Sequence, residues 1–130
     1  MAHQTAMRGL RAALRAHGIK AVAPADERNR GMATLEARRR FKRRVSRAYF
    51  RRIRRDDVVA ILVANRPKRG RKNYIGPNTF AEIAIAFDAR KAIYLLADVY
   101  APFADELAAW GAIALKGDVE RLADTLRKPR

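Results

Sequence analysis

A chain of 130 residues has the length of one domain, and with 49 % apolar residues it can bury a core of its own. No run approaches 18 consecutive apolar residues, no basic-then-apolar leader opens the chain, and there is no cysteine. Those absences argue against a membrane-spanning helix, a secretory signal, disulfides and thiolate metal sites, and leave a cytoplasmic protein as the expectation. The formal charge of +16 is concentrated at one end: residues 1–72 hold 22 Lys/Arg against 5 Asp/Glu, residues 73–130 hold 7 against 8. Such asymmetry points to an anionic partner, whether nucleic acid, nucleotide phosphate or an acidic surface. Arg also outnumbers Lys 22 to 7 and Ala is abundant. Coding bias in a GC-rich genome, acting on a solvated helix face, accounts for the charge equally well.

Taken in order, the elements alternate. A helix is predicted from Gln4 to Ala16, with Met7, Leu10, Ala13 and Leu14 along one side and His17-Gly18 as its stop. Ile19 to Ala23 reads as a short strand closed by Pro24, and residues 25–32 as a polar loop. A long, very basic helix follows over Thr34–Arg55, its apolar seam formed by Phe41, Val45, Tyr49 and Ile53. Val58–Ala64 is a continuous apolar run between Asp57 and Asn65, the pattern of a central parallel strand covered on both faces. Residues 66–76 read as a basic loop. Pro77–Ala89 is a helix with Phe80, Ile83, Ala84 and Phe87 on its core face. Ala92–Ala97 is a second buried strand, Pro102–Trp110 a short helix stopped by Gly111, Ala112–Leu115 a last strand and Val119–Leu126 a final helix.

Helices alternating with short apolar strands imply one α/β domain spanning residues 1–130, a flavodoxin- or Rossmann-like parallel sheet sandwiched by helices. Four strands are legible. A sheet of this kind normally opens with a strand, whereas this chain starts almost directly in a helix.

Three segments carry a resemblance: Asp57-Val-Val-Ala-Ile-Leu-Val-Ala-Asn65, Asn73-Tyr-Ile-Gly-Pro-Asn-Thr-Phe-Ala-Glu82-Ile-Ala-Ile-Ala-Phe87 and Lys91-Ala-Ile-Tyr-Leu-Leu96. Together they resemble the core of the nucleoside 2-deoxyribosyltransferase-like superfamily, and within it a bacterial and archaeal branch with an N-Y-I-G-x-N-T-x-x-E segment. Pro102-Phe-Ala-Asp-Glu-Leu107 and Lys116-Gly-Asp118 are similar to that branch as well. The resemblance implies a five-stranded flavodoxin-like fold and cleavage of an N-glycosidic bond. A carboxylate attacks the sugar anomeric carbon, and a second base, or water in related hydrolases, resolves the glycosyl-enzyme. It places the catalytic carboxylate at Glu82 and a substrate-binding Asp at Asp56 or Asp57, of which Asp57 fits better. The chain departs from the family in having Asn78 where the typical transferase has Gly, and Gly76 where it has an acidic residue. The first strand and its Gly-rich turn also have no counterpart before Met1, as after a truncation or a misplaced start.

Read without the family, Glu82 opens a helix just after the carboxyl end of a buried strand and its loop, where ligands of open α/β sheets bind. There a carboxylate can attack or stabilise an oxocarbenium-like transition state. The competing reading is structural: Thr79-x-x-Glu82 has the spacing of a capping box. Asp57 can orient a sugar hydroxyl or base, or simply end the basic helix and offset Arg54 and Arg55. Asn65 can bond substrate or end a strand, and Tyr74 can stack on a base or anchor its loop. Asn78 and Thr79 read as substrate contacts or helix caps. His3 and His17 have no partner at ligand spacing, and no Walker loop, G-x-G-x-x-G or metal cluster appears, so no cofactor is expected.

The partner expected at the site is a nucleoside or nucleotide, its 5′-phosphate held by some of the helix arginines or by Lys68, Arg69, Arg71 and Lys72. The rival is nucleic-acid binding by the basic helix, which presents Arg39, Arg40, Arg43, Arg44, Arg47, Arg51 and Arg54. Tyr49 and Phe50 are its main stacking groups beyond Phe41. Ile85 and Ala86, off the seam of their helix, point to a helix–helix interface, and a homo-oligomer is expected.

Overall fold

The computed structural model describes residues 2–22 and 34–127, with side chains from Met7 to Val22 and from Thr34 to Leu126. The first helix, α1, spans Ala2–Ala16, and the basic helix, α2, spans Leu35–Arg54. Thr34 caps α2: its backbone is extended, and its hydroxyl accepts the Ala37 amide at 3.0 Å, engaging one of the helix's free first-turn donors. The chain then enters strand β1 at Ala60–Val63. An antiparallel pair follows, β2 (Arg66–Lys68) and β3 (Arg71–Tyr74), and leads into helix α3 over Pro77–Asp88. Strand β4 is Ala92–Leu95; a 3-10 turn at Ala101–Phe103 runs into helix α4, Ala104–Ala109. Strand β5 (Ile113–Ala114) and helix α5 (Val119–Arg127) complete the described chain.

The main sheet is parallel, in the order β1-β4-β5, with Ala60 opposite Ala92 and Tyr94 opposite Ile113. Alternation along the strands feeds two cores. Val63 of β1 with Ile93 and Leu95 of β4 packs against Ile53, Ile83, Ala86 and Leu107, from α2, α3 and α4. Ala92 and Tyr94, on the opposite face of β4, pack with Leu14, Leu115 and Leu122, so α1 and α5 cover that side. A strand covered on both faces must be apolar at every position, and all four residues of β4 are buried. The expected α/β class therefore holds.

Several local expectations give way. β1, expected as a central strand, lies at the edge of the described sheet, and Phe87, expected on the core face of α3, is 45 % exposed. Residues 19–22 form no strand; Ile19 and Ala21 instead pack against the second core as irregular chain, and Ala23 and the loop 25–32 lie outside the described residues. The parallel sheet accordingly has three of the four expected strands. The basic loop 66–76 is in fact largely a hairpin. Its two-residue turn, Arg69-Gly70, has positive φ at both positions (52° and 75°) with Lys68 paired to Arg71, the arrangement that matches strand twist in tight hairpins.

The interface expected from Ile85 and Ala86 also dissolves. Ala86 is fully buried within the chain, and Ile85 packs against the first core. Among the described residues, no helix is long and apolar enough to cross a membrane.

Candidate active site

Beyond the carboxyl end of β1 sits Asn65, only 5 % exposed. Its amide donates to the carbonyls of Asn73 (3.1 Å) and Asp98 (2.7 Å), and its oxygen accepts the Ala97 amide at 3.0 Å. Both amide hydrogens are thus engaged within the protein. Asn73 repeats the device from β3: held at φ 57°, it accepts the Asp98 amide at 3.3 Å and donates to the Val99 carbonyl at 3.5 Å. The two asparagines fasten the hairpin to the chain leaving β4. Asn65 is placed where a ligand residue was expected, but its polar atoms tie loops together.

Tyr74 is half-buried and meets Tyr100 edge-on, ring centres 5.5 Å apart, with the Lys68 ammonium 5.6 Å from its ring centre. Tyr100 is buried, and its hydroxyl accepts Arg71 Nη1 at 3.0 Å. From Tyr100 the rings continue through Phe103 (5.3 Å) to Phe80 (4.2 Å) and Trp110 (5.4 Å), an aromatic wall along α3. Tyr74 anchors the top of that wall.

The start of α3 bears on the capping reading of Glu82. The N-cap is Gly76, whose carbonyl accepts the Phe80 amide at 2.9 Å, and Pro77 is the first helical residue. Thr79 is therefore the third residue of the helix and Glu82 the sixth, and no side chain caps the end. A capping box needs Thr at the N-cap and Glu three positions later, so Thr79-x-x-Glu82 is not one. Glu82 lies about 7.5 Å of helix rise below Pro77. Helical side chains lean toward the N-terminus, which carries its carboxyl back over the turn bearing exposed Asn78 and half-buried Thr79. Glu82 is half-buried, and no described residue forms a hydrogen bond or ion pair with it. Loss of hydration disfavours its charged form and raises its carboxyl pKa above the ordinary value.

Asp57 lies elsewhere. It precedes β1 at the amino end of the sheet, whereas α3 starts beyond the carboxyl end, and β1 alone spans about 13 Å. Its carboxylate is exposed and held by Arg55 through two contacts, Nε at 3.0 Å and Nη2 at 2.9 Å. Nearby, Lys91 donates to the Arg55 carbonyl at 2.8 Å and Arg54 pairs with Asp88 at 3.2 Å. Asp57 belongs to this seam joining the turns before β1 and β4, and the single cleft expected for Glu82 and Asp57 does not form.

Two open depressions stand out. One, of about 420 Å³, lies at that amino end between Asp56, Val59, Arg90, Lys91 and Leu126. The other, of about 480 Å³, is lined by Arg40, Arg43, Arg44, Arg47 and Arg51 of α2. Neither takes in Glu82. Sequence reasoning missed the hairpin that fixes Asn73, and it read Arg71 as a phosphate contact where the side chain donates to Tyr100; the Arg-Gly pair between two short basic runs was the available sign of a hairpin. Compared with protein-family models, curated proteins and solved structures, the chain matches none.

Proposed function

We propose that the protein cleaves the N-glycosidic bond of a nucleoside or nucleotide, with Glu82 as the nucleophile. The observation that carries this reading is the Glu82 carboxyl itself, half-buried and without a partner among the described residues. A carboxylate stripped of part of its water and given no salt bridge or cap to serve is unfavourable for the fold alone. Attack on an anomeric carbon relieves that cost, because the negative charge moves onto the departing base.

In the proposed reaction a Glu82 oxygen bonds to the sugar anomeric carbon as the bond to the base nitrogen breaks. The base leaves with the electron pair and takes a proton from solvent. Water, or a second base, then attacks the same carbon, releasing the sugar product and restoring the carboxylate. In this reading Asn78, exposed one helical turn before Glu82 on the same face, contacts the sugar. The resemblance in the 73–96 segment supports the choice of substrate class.

The test is base release from a panel of nucleosides and 5′-nucleotides, followed chromatographically. Wild-type protein is expected to release base, and Glu82→Gln to lose release by several orders of magnitude while keeping its fold. Release that survives Glu82→Gln, or none from any substrate with wild-type protein, refutes the reading.

A further inference from the structure

The depression on α2 is independent of Glu82 and has a chemistry of its own. At 100° per residue, Arg40, Arg43, Arg44, Arg47 and Arg51 fall within an arc of about 100°, opposite the seam of Phe41, Val45, Tyr49 and Ile53. All five are exposed, and no carboxylate of a described residue pairs with any of them. The one acidic residue of the helix, Glu36, stands at its start. Arg44 is steadied by the Phe41 ring, 5.5 Å from its guanidinium.

The helix also runs off the body of the protein. α2 and α3 both feed parallel strands, so they point the same way, and Arg54–Asp88 joins their carboxyl ends. With 20 residues against 12, α2 extends about 12 Å past the start of α3. The seam records the same geometry. Ile53 is buried, Tyr49, Val45 and Phe41 are half-buried, and Leu35 is 52 % exposed. Among the described residues, 35–42 therefore overhang the start of α3, Arg40 with them, while Arg43 and Arg44 stand level with its first turn.

We propose that this face binds the phosphodiester backbone of nucleic acid without regard to sequence. Three i,i+4 pairs of like charge (40/44, 43/47 and 47/51) each work against the helix. No carboxylate of a described residue pairs with these arginines to offset that repulsion, and a polyanion removes it. The stripe rises about 16 Å from Arg40 to Arg51, matching roughly five phosphates of one strand at about 3.4 Å each. A free nucleotide reaches only part of that length. A membrane surface fits poorly, because the arc carries no apolar side chain to insert and the apolar seam is turned inward. With no ring or amide in the arc to read base edges, contacts end at the backbone.

The test uses fluorescence anisotropy of a labelled 20-base-pair DNA duplex across 50–300 mM NaCl. Arg43→Gln/Arg47→Gln/Arg51→Gln is expected to flatten the slope of log affinity against log salt by about 2.7, at 0.9 per phosphate contact. Arg47→Glu alone is expected to flatten it by about 1 or more. Arg8→Gln/Arg11→Gln/Arg15→Gln, which removes the same charge from exposed positions of α1, is expected to change it little. Millimolar ATP should not displace the duplex, and phosphatidylserine vesicles should not sediment the protein. Circular dichroism of each variant checks that α2 remains helical. The proposal is overturned if the α1 variant weakens binding as much as the α2 variant, if the α2 variants leave the slope unchanged, or if ATP or vesicles bind as tightly as the duplex. Glu82→Gln should leave duplex binding intact, so this proposal and the glycosidic one succeed or fail separately.

Discussion

Replacing Asn65 by Ala tests whether the carboxyl end of the sheet is held by side-chain amides. Asn65→Ala removes three hydrogen bonds, to the Asn73 carbonyl, the Asp98 carbonyl and the Ala97 amide. Each is worth roughly 1 kcal/mol net, and all three are partly buried, so the loss should be about 3 kcal/mol. For a chain of this size that corresponds to a fall in Tm of roughly 10 °C. Asn65→Asp supplies a control with nearly the same shape. It keeps an acceptor for the Ala97 amide but turns a carboxylate toward two carbonyl oxygens, so at pH 7 it should destabilise more than Ala does. Its deficit should shrink as acid protonates the introduced group. Urea unfolding at pH 7 and pH 4 gives both numbers. If Asn65→Ala costs under about 1 kcal/mol yet base release disappears, the amide serves substrate and the structural argument fails.

Two further outcomes are expected. Burial raises the folded-state pKa of Glu82 above its unfolded value near 4.3, so its favourable contribution is complete below about pH 4.3 and is lost as pH rises through the folded-state value. Glu82→Gln, neutral throughout, should gain stability relative to wild type across that window and then level off; urea midpoints that keep a constant gap from pH 3.5 to 7.5 contradict the burial argument. Asp57→Asn breaks an exposed pair with Arg55 and should change stability by less than about 1 kcal/mol, with base release unaltered; a tenfold drop in kcat/KM would return Asp57 to the substrate site.

Where burial on both faces dictates residue type, the sequence could be read directly. The run at Ala92–Leu95 is buried at every position because helices cover both sides of the sheet, and the four-residue seam of α2 states which side of that helix turns inward; the equally apolar run at Ala60–Val63 did not reveal that β1 lies at the edge of the described sheet. Short-range patterns with two physical outcomes could not be settled in this way. Ile19–Ala23 has strand composition, but a strand exists only where a neighbour accepts its backbone bonds, and among the described residues none does. Thr79 and Glu82 have cap spacing, yet the cap position belongs to whichever residue the incoming chain holds extended, and Pro77 as first helical residue moves it to Gly76. The separation of Asp57 from Glu82 is a matter of strand direction: both flank the same strand in sequence, but a parallel strand delivers them to opposite ends of the sheet. Asn65 looked like a ligand because it ends a strand at the expected place, and only the folded chain brings Asn73, Ala97 and Asp98, up to 33 residues away, within reach of its amide.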